Sequence, residues 1–204
     1  ALFRRLERTP ATLLSASAIG YYGHHGDEPL DEQGESVPGF AQSLCARWEA
    51  AAMQAEALGV RTCLMRLGVV LDAGGGAFEQ MALPFKLGIG NWVGDGRQWL
   101  SWIHRADAVA AMAFLLETED LSGPFNLTAP AAITGRGFCE AMTSHKRTLL
   151  SLPMPAPIMR VMIGEMAEEL LINGQRVVPS ALQTAGFQFR YDTIDAALGA
   201  IWAR

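Results

Sequence analysis

The sequence predicts an α/β chain, with a parallel sheet and flanking helices over residues 1–150 and a small, mostly helical C-terminal unit over residues 151–204. Three observations predict it. The apolar runs at residues 12–19 and 60–71 are short and bounded by turn residues, as strands buried on both faces of a parallel sheet are. Between them lies an apolar stripe at three- and four-residue spacing, so the order is strand, helix, strand, which needs a crossover and hence parallel pairing. At residues 152–157, Leu-Pro-Met-Pro-Ala-Pro, alternate prolines favour an extended connector, and the boundary falls there.

The first strand ends in Ser15-Ala16-Ser17-Ala18-Ile19-Gly20-Tyr21-Tyr22-Gly23, where small residues and hydroxyls give way to aromatics and glycine. The carboxyl end of such a strand faces the crevice in which open α/β sheets bind ligands. A polar loop follows over residues 24–39. Phe40, Leu44, Cys45, Trp48, Ala51, Ala52, Ala55 and Leu58 then form one apolar stripe on a helix of about five turns, which Gly59 is placed to end. The second strand, residues 60–71, is broken by Gly74-Gly75-Gly76.

Residues 78–87 read as a helix disturbed by Pro84, and residues 88–96 as a glycine-studded loop. Val109, Met112, Ala113, Leu115 and Leu116 mark a helix beginning near Asp107. A strand is expected at residues 124–128 and a helix at 134–144. Beyond the boundary, residues 158–172 read as a Met-rich helix, in which Met159, Met162 and Met166, with Met154 before it, are core filling or a groove for a partner helix. A short helix at 179–186, an alternating strand at 187–191 and a last helix at 193–202 complete the chain.

The totals narrow the function. At 204 residues, 50% hydrophobic and 18% charged, the chain has material for a full core. A formal net charge of -5 offers no basic face for nucleic acid. Cys45, Cys63 and Cys139 are odd in number and far apart, with neither a C-x-x-C nor a His companion, so no disulfide framework and no metal site is expected, and a reducing, cytoplasmic compartment fits. His24 and His25 lack the companions a metal needs. No stretch is long and charge-free enough to span a bilayer, so no membrane partner is expected. The oligomeric state is not set by these features.

Three segments in fixed order resemble the extended short-chain dehydrogenase/reductases. They are residues 15–23, then Leu64-Met65-Arg66-Leu67-Gly68-Val69-Val70-Leu71, then Trp102-Ile103-His104-Arg105-Ala106-Asp107 leading to Phe125-Asn126. Finer details are Tyr21-Tyr22-Gly23, Trp48-Glu49-Ala50-Ala51, Arg97-Gln98-Trp99 and Gly164-Glu165-Met166-Ala167-Glu168. These resemble the atypical YfcH-like branch, epimerase family proteins with a small C-terminal extension domain, sometimes labelled cell-division inhibitors. The resemblance implies a Rossmann-type sheet that binds NADP or NAD, with NADP favoured.

Two departures from the family pattern shape the reading. The glycine-rich turn that cradles a pyrophosphate at a helix N-terminus is absent, and the expectation is that only the second half of the Rossmann-type sheet lies in this chain, its first half missing. The family's Tyr-x-x-x-Lys pair is absent as well. Anchored on Glu49, its positions fall on Ala41 and Cys45.

The resemblance assigns the site residue by residue. Ser17 matches the catalytic Ser, and Tyr22 is the one nearby phenol able to act as an acid, its alternative being an aromatic wall. Ser15, Ser17, Arg66, Gly68, Val69 and Val70 would line the nicotinamide, although Arg66 reads equally well as a structural arginine satisfying loop carbonyls. Arg97, Trp99 and His104 would line the substrate side, although His104 also suits a helix start bonded to backbone. The function implied is an NAD(P)-binding oxidoreductase or epimerase acting on an unidentified small molecule. The alternative is a non-catalytic dinucleotide-binding sensor or interaction module, including a role linked to cell division.

Overall fold

The computed structural model describes residues 8–154 and 174–203. In chain order its elements are β1 (Thr12–Ala18), a 3-10 turn (Ile19–Tyr22), β2 (Pro29–Leu30), α1 (Phe40–Met53), β3 (Arg61–Leu67), β4 (Val69–Leu71) and α2 (Gly76–Lys86). There follow β5 (Ile89–Val93), β6 (Trp99–Leu100), β7 (Trp102–His104), α3 (Arg105–Glu117), β8 (Gly123–Leu127), β9 (Ile133–Thr134), α4 (Gly135–His145) and β10 (Leu150–Met154). After the segment outside the described residues come β11 (Arg176–Val177), α5 (Ser180–Thr184) and α6 (Ile194–Trp202). The expected Met-rich helix at 158–172 lies outside the described residues.

The main sheet is parallel and runs β1-β3-β8, with α1 crossing from β1 to β3 and α3 preceding β8. The α/β class with a parallel sheet and C-terminal helices is therefore as the sequence predicts. β3 has a neighbour on each side, and five consecutive residues, Thr62 to Arg66, are buried. β1 differs from expectation. Only Ser17 within it is fully buried, because among the described residues β1 pairs on one side alone.

The single long strand expected over residues 60–71 is two strands. At Gly68 the chain leaves β8 and joins β7: the Gly68 N–H donates to the Leu127 carbonyl and the next N–H, of Val69, to the Ser101 carbonyl. A Cβ at Gly68 would lie 2.6 Å from the Ser101 carbonyl oxygen, so the fork closes only around glycine.

Three other expectations change. Residues 88–96 include a strand, β5, whose parallel partner β10 takes in Leu152 and Pro153 of the expected connector. Residues 187–191 form no strand: the N–H groups of Arg190 and Tyr191 donate to the buried Asp107 carboxylate instead, while Phe187 and Phe189 pack edge to face. The α1 stripe is also divided. Cys45 and Ala55 are buried, but Phe40 is 74% and Trp48 51% exposed, and the buried face carries Glu49 instead.

The C-terminal helices share the core of what precedes them. Leu198 and Ile201 of α6 pack with Phe78, Trp102 and Met142, and Leu182 of α5 packs with Ile103, Leu115 and Phe125. A third, smaller cluster joins Tyr22, Leu30 and Val177, on the short β2-β11 pairing.

Candidate active site

Parallel register lines up three polar residues near the carboxyl end of the main sheet. Ser17 of β1 stands opposite Arg66 of β3, and Arg66 opposite Asn126 of β8. Successive side chains of a strand alternate between faces, so residues in register share one face. Glu49 reaches this row from α1. It lies one turn beyond Cys45, on the helix face packed toward β1.

Glu49 closes the network. The Ser17 hydroxyl donates to its Oε1 at 2.7 Å, Arg66 Nε donates to the same oxygen at 2.9 Å, and Arg66 Nη2 to Oε2 at 2.9 Å. A two-pronged guanidinium–carboxylate pair is among the stronger charge-assisted contacts. Burial works against the Arg66 charge, but the bonds from Glu49 and Tyr22 outweigh it and hold its pKa above the ordinary value. Arg66 Nη1 also donates to the Tyr22 hydroxyl at 3.0 Å and to the Glu32 carbonyl at 3.3 Å. Its guanidinium lies 3.5 Å from the centre of the Tyr21 ring.

The second half of the row faces the C-terminal residues. The Tyr22 hydroxyl donates to Asn126 Oδ1 at 2.7 Å, and Asn126 Nδ2 donates to the Val178 carbonyl at 2.9 Å. Glu32 accepts the Asn126 N–H on one oxygen and the Ala181 N–H on the other. Burial is the largest influence on both groups and raises their pKa values. For Tyr22 it outweighs the Arg66 charge, and for Glu32 it outweighs the two backbone bonds.

The structure thus brings together Ser17, Tyr22 and Arg66. Tyr22 has no exposed surface, and its hydroxyl bridges Arg66 and Asn126, the geometry of a wall and strut. Arg66 satisfies a loop carbonyl, as a structural arginine does. Ser15 and Ala16 keep solvent access at the strand end, with Ala16 exposed. Gly68, Val69 and Val70 form the fork beside the row, where the Gly68 and Val69 N–H groups are taken by backbone.

Arg97 and Trp99 lie elsewhere, in a cleft of about 230 Å³ also lined by His24, Asp27 and Val93. Trp99 Nε1 donates to Asp27 at 2.8 Å, and the Arg176 guanidinium sits 4.8 Å from its ring centre. His104 is not in that cleft. It is buried at the start of α3, where Nδ1 accepts the Ala106 N–H and the ring lies 4.0 Å from that of Tyr191.

Sequence reasoning missed Glu49, Asn126 and Glu32 as members of the network. The available signal was a carboxylate four residues after Cys45 on a helix otherwise almost free of charge. Cys45, at the family's Lys position, is a buried thiol whose pKa burial raises, and Ala41, at the Tyr position, packs on Gly20. Among the described residues no group of three or more His, Cys, Asp and Glu side chains is placed to hold a metal ion.

A parallel sheet with a Ser at its carboxyl end, braced from the following helix, fits a fold like that of the extended short-chain dehydrogenase/reductases. Known proteins agree. An epimerase family protein of Mycobacterium bovis is 44% identical over 189 residues, covering 93% of this chain and 63% of the relative. The human epimerase family protein solved with NADPH superposes with a TM-score of 0.84 at 26% identity, covering 99% of this chain and 68% of that one. A nucleoside-diphosphate sugar epimerase from Corynebacterium glutamicum gives a TM-score of 0.80 at 31% identity, covering 96% and 38%. Residues 154–201 match the family model described as Domain of unknown function (DUF1731). Over nearly its whole length the chain is thus similar to epimerase family proteins, and it spans 63% of the length of the mycobacterial relative.

Proposed function

We propose that this chain carries the nicotinamide and substrate sides of an NAD(P)-dependent oxidoreductase or epimerase acting on a small molecule. The observation that carries this reading is the in-register row Ser17, Arg66, Asn126 with Glu49 behind it, at the strand ends where α/β sheets bind ligands. The residues present fit a flat ring there: Ser15, Ala16 and Ser17 are small, and Ala16 is exposed at an edge of the sheet. When bound, the cofactor supplies the hydride chemistry. Ser17, oriented by Glu49, is the polar side chain at the ring. Arg97 and Trp99 face the substrate from their cleft.

NADP is the favoured cofactor, in line with the human relative solved with NADPH. The side of β1 without a strand neighbour among the described residues and the share of the relatives' length support the expectation that this is the second half of a larger Rossmann-type sheet. Adenosine and pyrophosphate would then be held by residues outside it. Three buried free thiols support a reducing, cytoplasmic setting. No helix of the described residues is long and apolar enough to cross a membrane.

The second reading, a non-catalytic dinucleotide sensor or interaction module, is favoured by one observation. Ala41 and Cys45 stand where the family has its acid and its lysine, and the phenol of Tyr22 is walled in. Titration with NADPH and NADH, followed by a panel of carbonyl substrates, separates the two. Turnover that Ser17→Ala abolishes supports the enzyme. Saturable NADPH binding without turnover supports the sensor, and no binding of either nucleotide counts against both.

A further inference from the structure

Ser17 has one hydroxyl proton, and it points at Glu49 across 2.7 Å. An ionised carboxylate has none to return. Both oxygens of Glu49 are gripped by Arg66, at 2.9 Å each, in the fork that matches an ionised carboxylate. Ser17 is 5% and Glu49 6% exposed, so little water competes for the bond. Ser17 keeps only lone pairs for anything else. The Cys45 thiol lies against the same hydroxyl, and as a buried S–H it is a weak donor.

Resting on the nicotinamide reading above, we propose that Glu49 is a positioning residue that fixes Ser17 as a hydrogen-bond acceptor. Ser17 then takes an N–H from its ligand, which in a nicotinamide is that of the carboxamide, and does not donate to a carbonyl oxygen. Ligands that present an amide N–H at this point bind, and those that present only oxygen acceptors are disfavoured.

The test uses the full chain and two probes that differ at this group, nicotinamide mononucleotide and nicotinic acid mononucleotide, with affinities read by ligand-observed NMR titration. The wild type is expected to bind the amide about tenfold more tightly, the size of one buried hydrogen bond. Ser17→Ala should bring the two probes within about twofold of each other, and Glu49→Gln should narrow the gap with Ser17 still in place. If Glu49→Gln does not fold, judged by circular dichroism, Ser17→Ala decides alone. A preference that survives Ser17→Ala is charge repulsion of the acid and overturns the proposal, as does equal binding of both probes by the wild type. Binding of neither probe by the folded chain overturns the nicotinamide reading itself, and the proposal with it.

Discussion

Ser17 and Arg66 stand opposite each other in register on β1 and β3 and meet on a single oxygen, Oε1 of Glu49, at 2.7 and 2.9 Å. A residue of α1 thereby joins two strands at the crevice end of the sheet. Buried ion pairs are poor sources of net stability, because desolvation offsets their attraction, so such a pair beneath a strand-end hydroxyl points to orientation.

Glu49→Ala leaves the Arg66 guanidinium buried without a counter-charge and should cost about 3–5 kcal/mol in urea unfolding. The double variant Glu49→Leu with Arg66→Met removes both charges and should lose less than Glu49→Ala alone. A loss equal to the sum of the two single variants would show that packing, not charge, holds the pair.

Tyr22→Phe removes the donor to Asn126 and an acceptor from Arg66, for an expected loss of about 1–3 kcal/mol. Burial raises the Tyr22 pKa, so the folded state holds this proton more firmly than the unfolded chain. Its contribution is complete below about pH 10, the unfolded phenol's value, and is lost as pH rises through the folded pKa. Unfolding midpoints should therefore converge for wild type and Tyr22→Phe in alkali.

Glu32 joins the loop before α1 to β8 and to α5 through the N–H groups of Asn126 and Ala181. Burial, aided by Asp31, raises its pKa despite those bonds. The stabilisation from holding its proton is complete below about pH 4 and is lost as pH rises through the folded value. Compared with Glu32→Gln, which does not ionise, wild type should lose thermal stability as pH rises above about 4 and through the raised folded value. A difference in Tm constant across that range would refute the shift.

Gly68→Ala should cost about 1–3 kcal/mol by overpacking, because the new Cβ meets the Ser101 carbonyl at 2.6 Å and Thr128 at 3.0 Å. Gly26→Ala is the control: nothing lies within 4 Å, and the change should stay within about 0.5 kcal/mol. Thermal unfolding of the two variants checks the pair.

What the sequence determined by itself was local. Apolar runs and helical spacing specify β1, β3, α1, α3 and β8, and Gly59 ends the first crossover in the left-handed conformation at φ 76. Ser17 and Arg66 were legible because each sits at the end of such a run. Only the tertiary structure decided which residues meet. The register that sets Ser17, Arg66 and Asn126 in one row is a pairing between strands 49 and 60 residues apart, which no local pattern encodes. The exposed face of α1 follows from what lies beside the helix, and so does the burial of Glu49, since periodicity gives the faces of a helix but not their neighbours. Residues 187–191 alternate like a strand yet find no partner edge, because their N–H groups are taken by a carboxylate from α3. His104 is kept out of the Arg97 and Trp99 cleft for the same kind of reason: as the N-cap of α3 its Nδ1 accepts the Ala106 N–H.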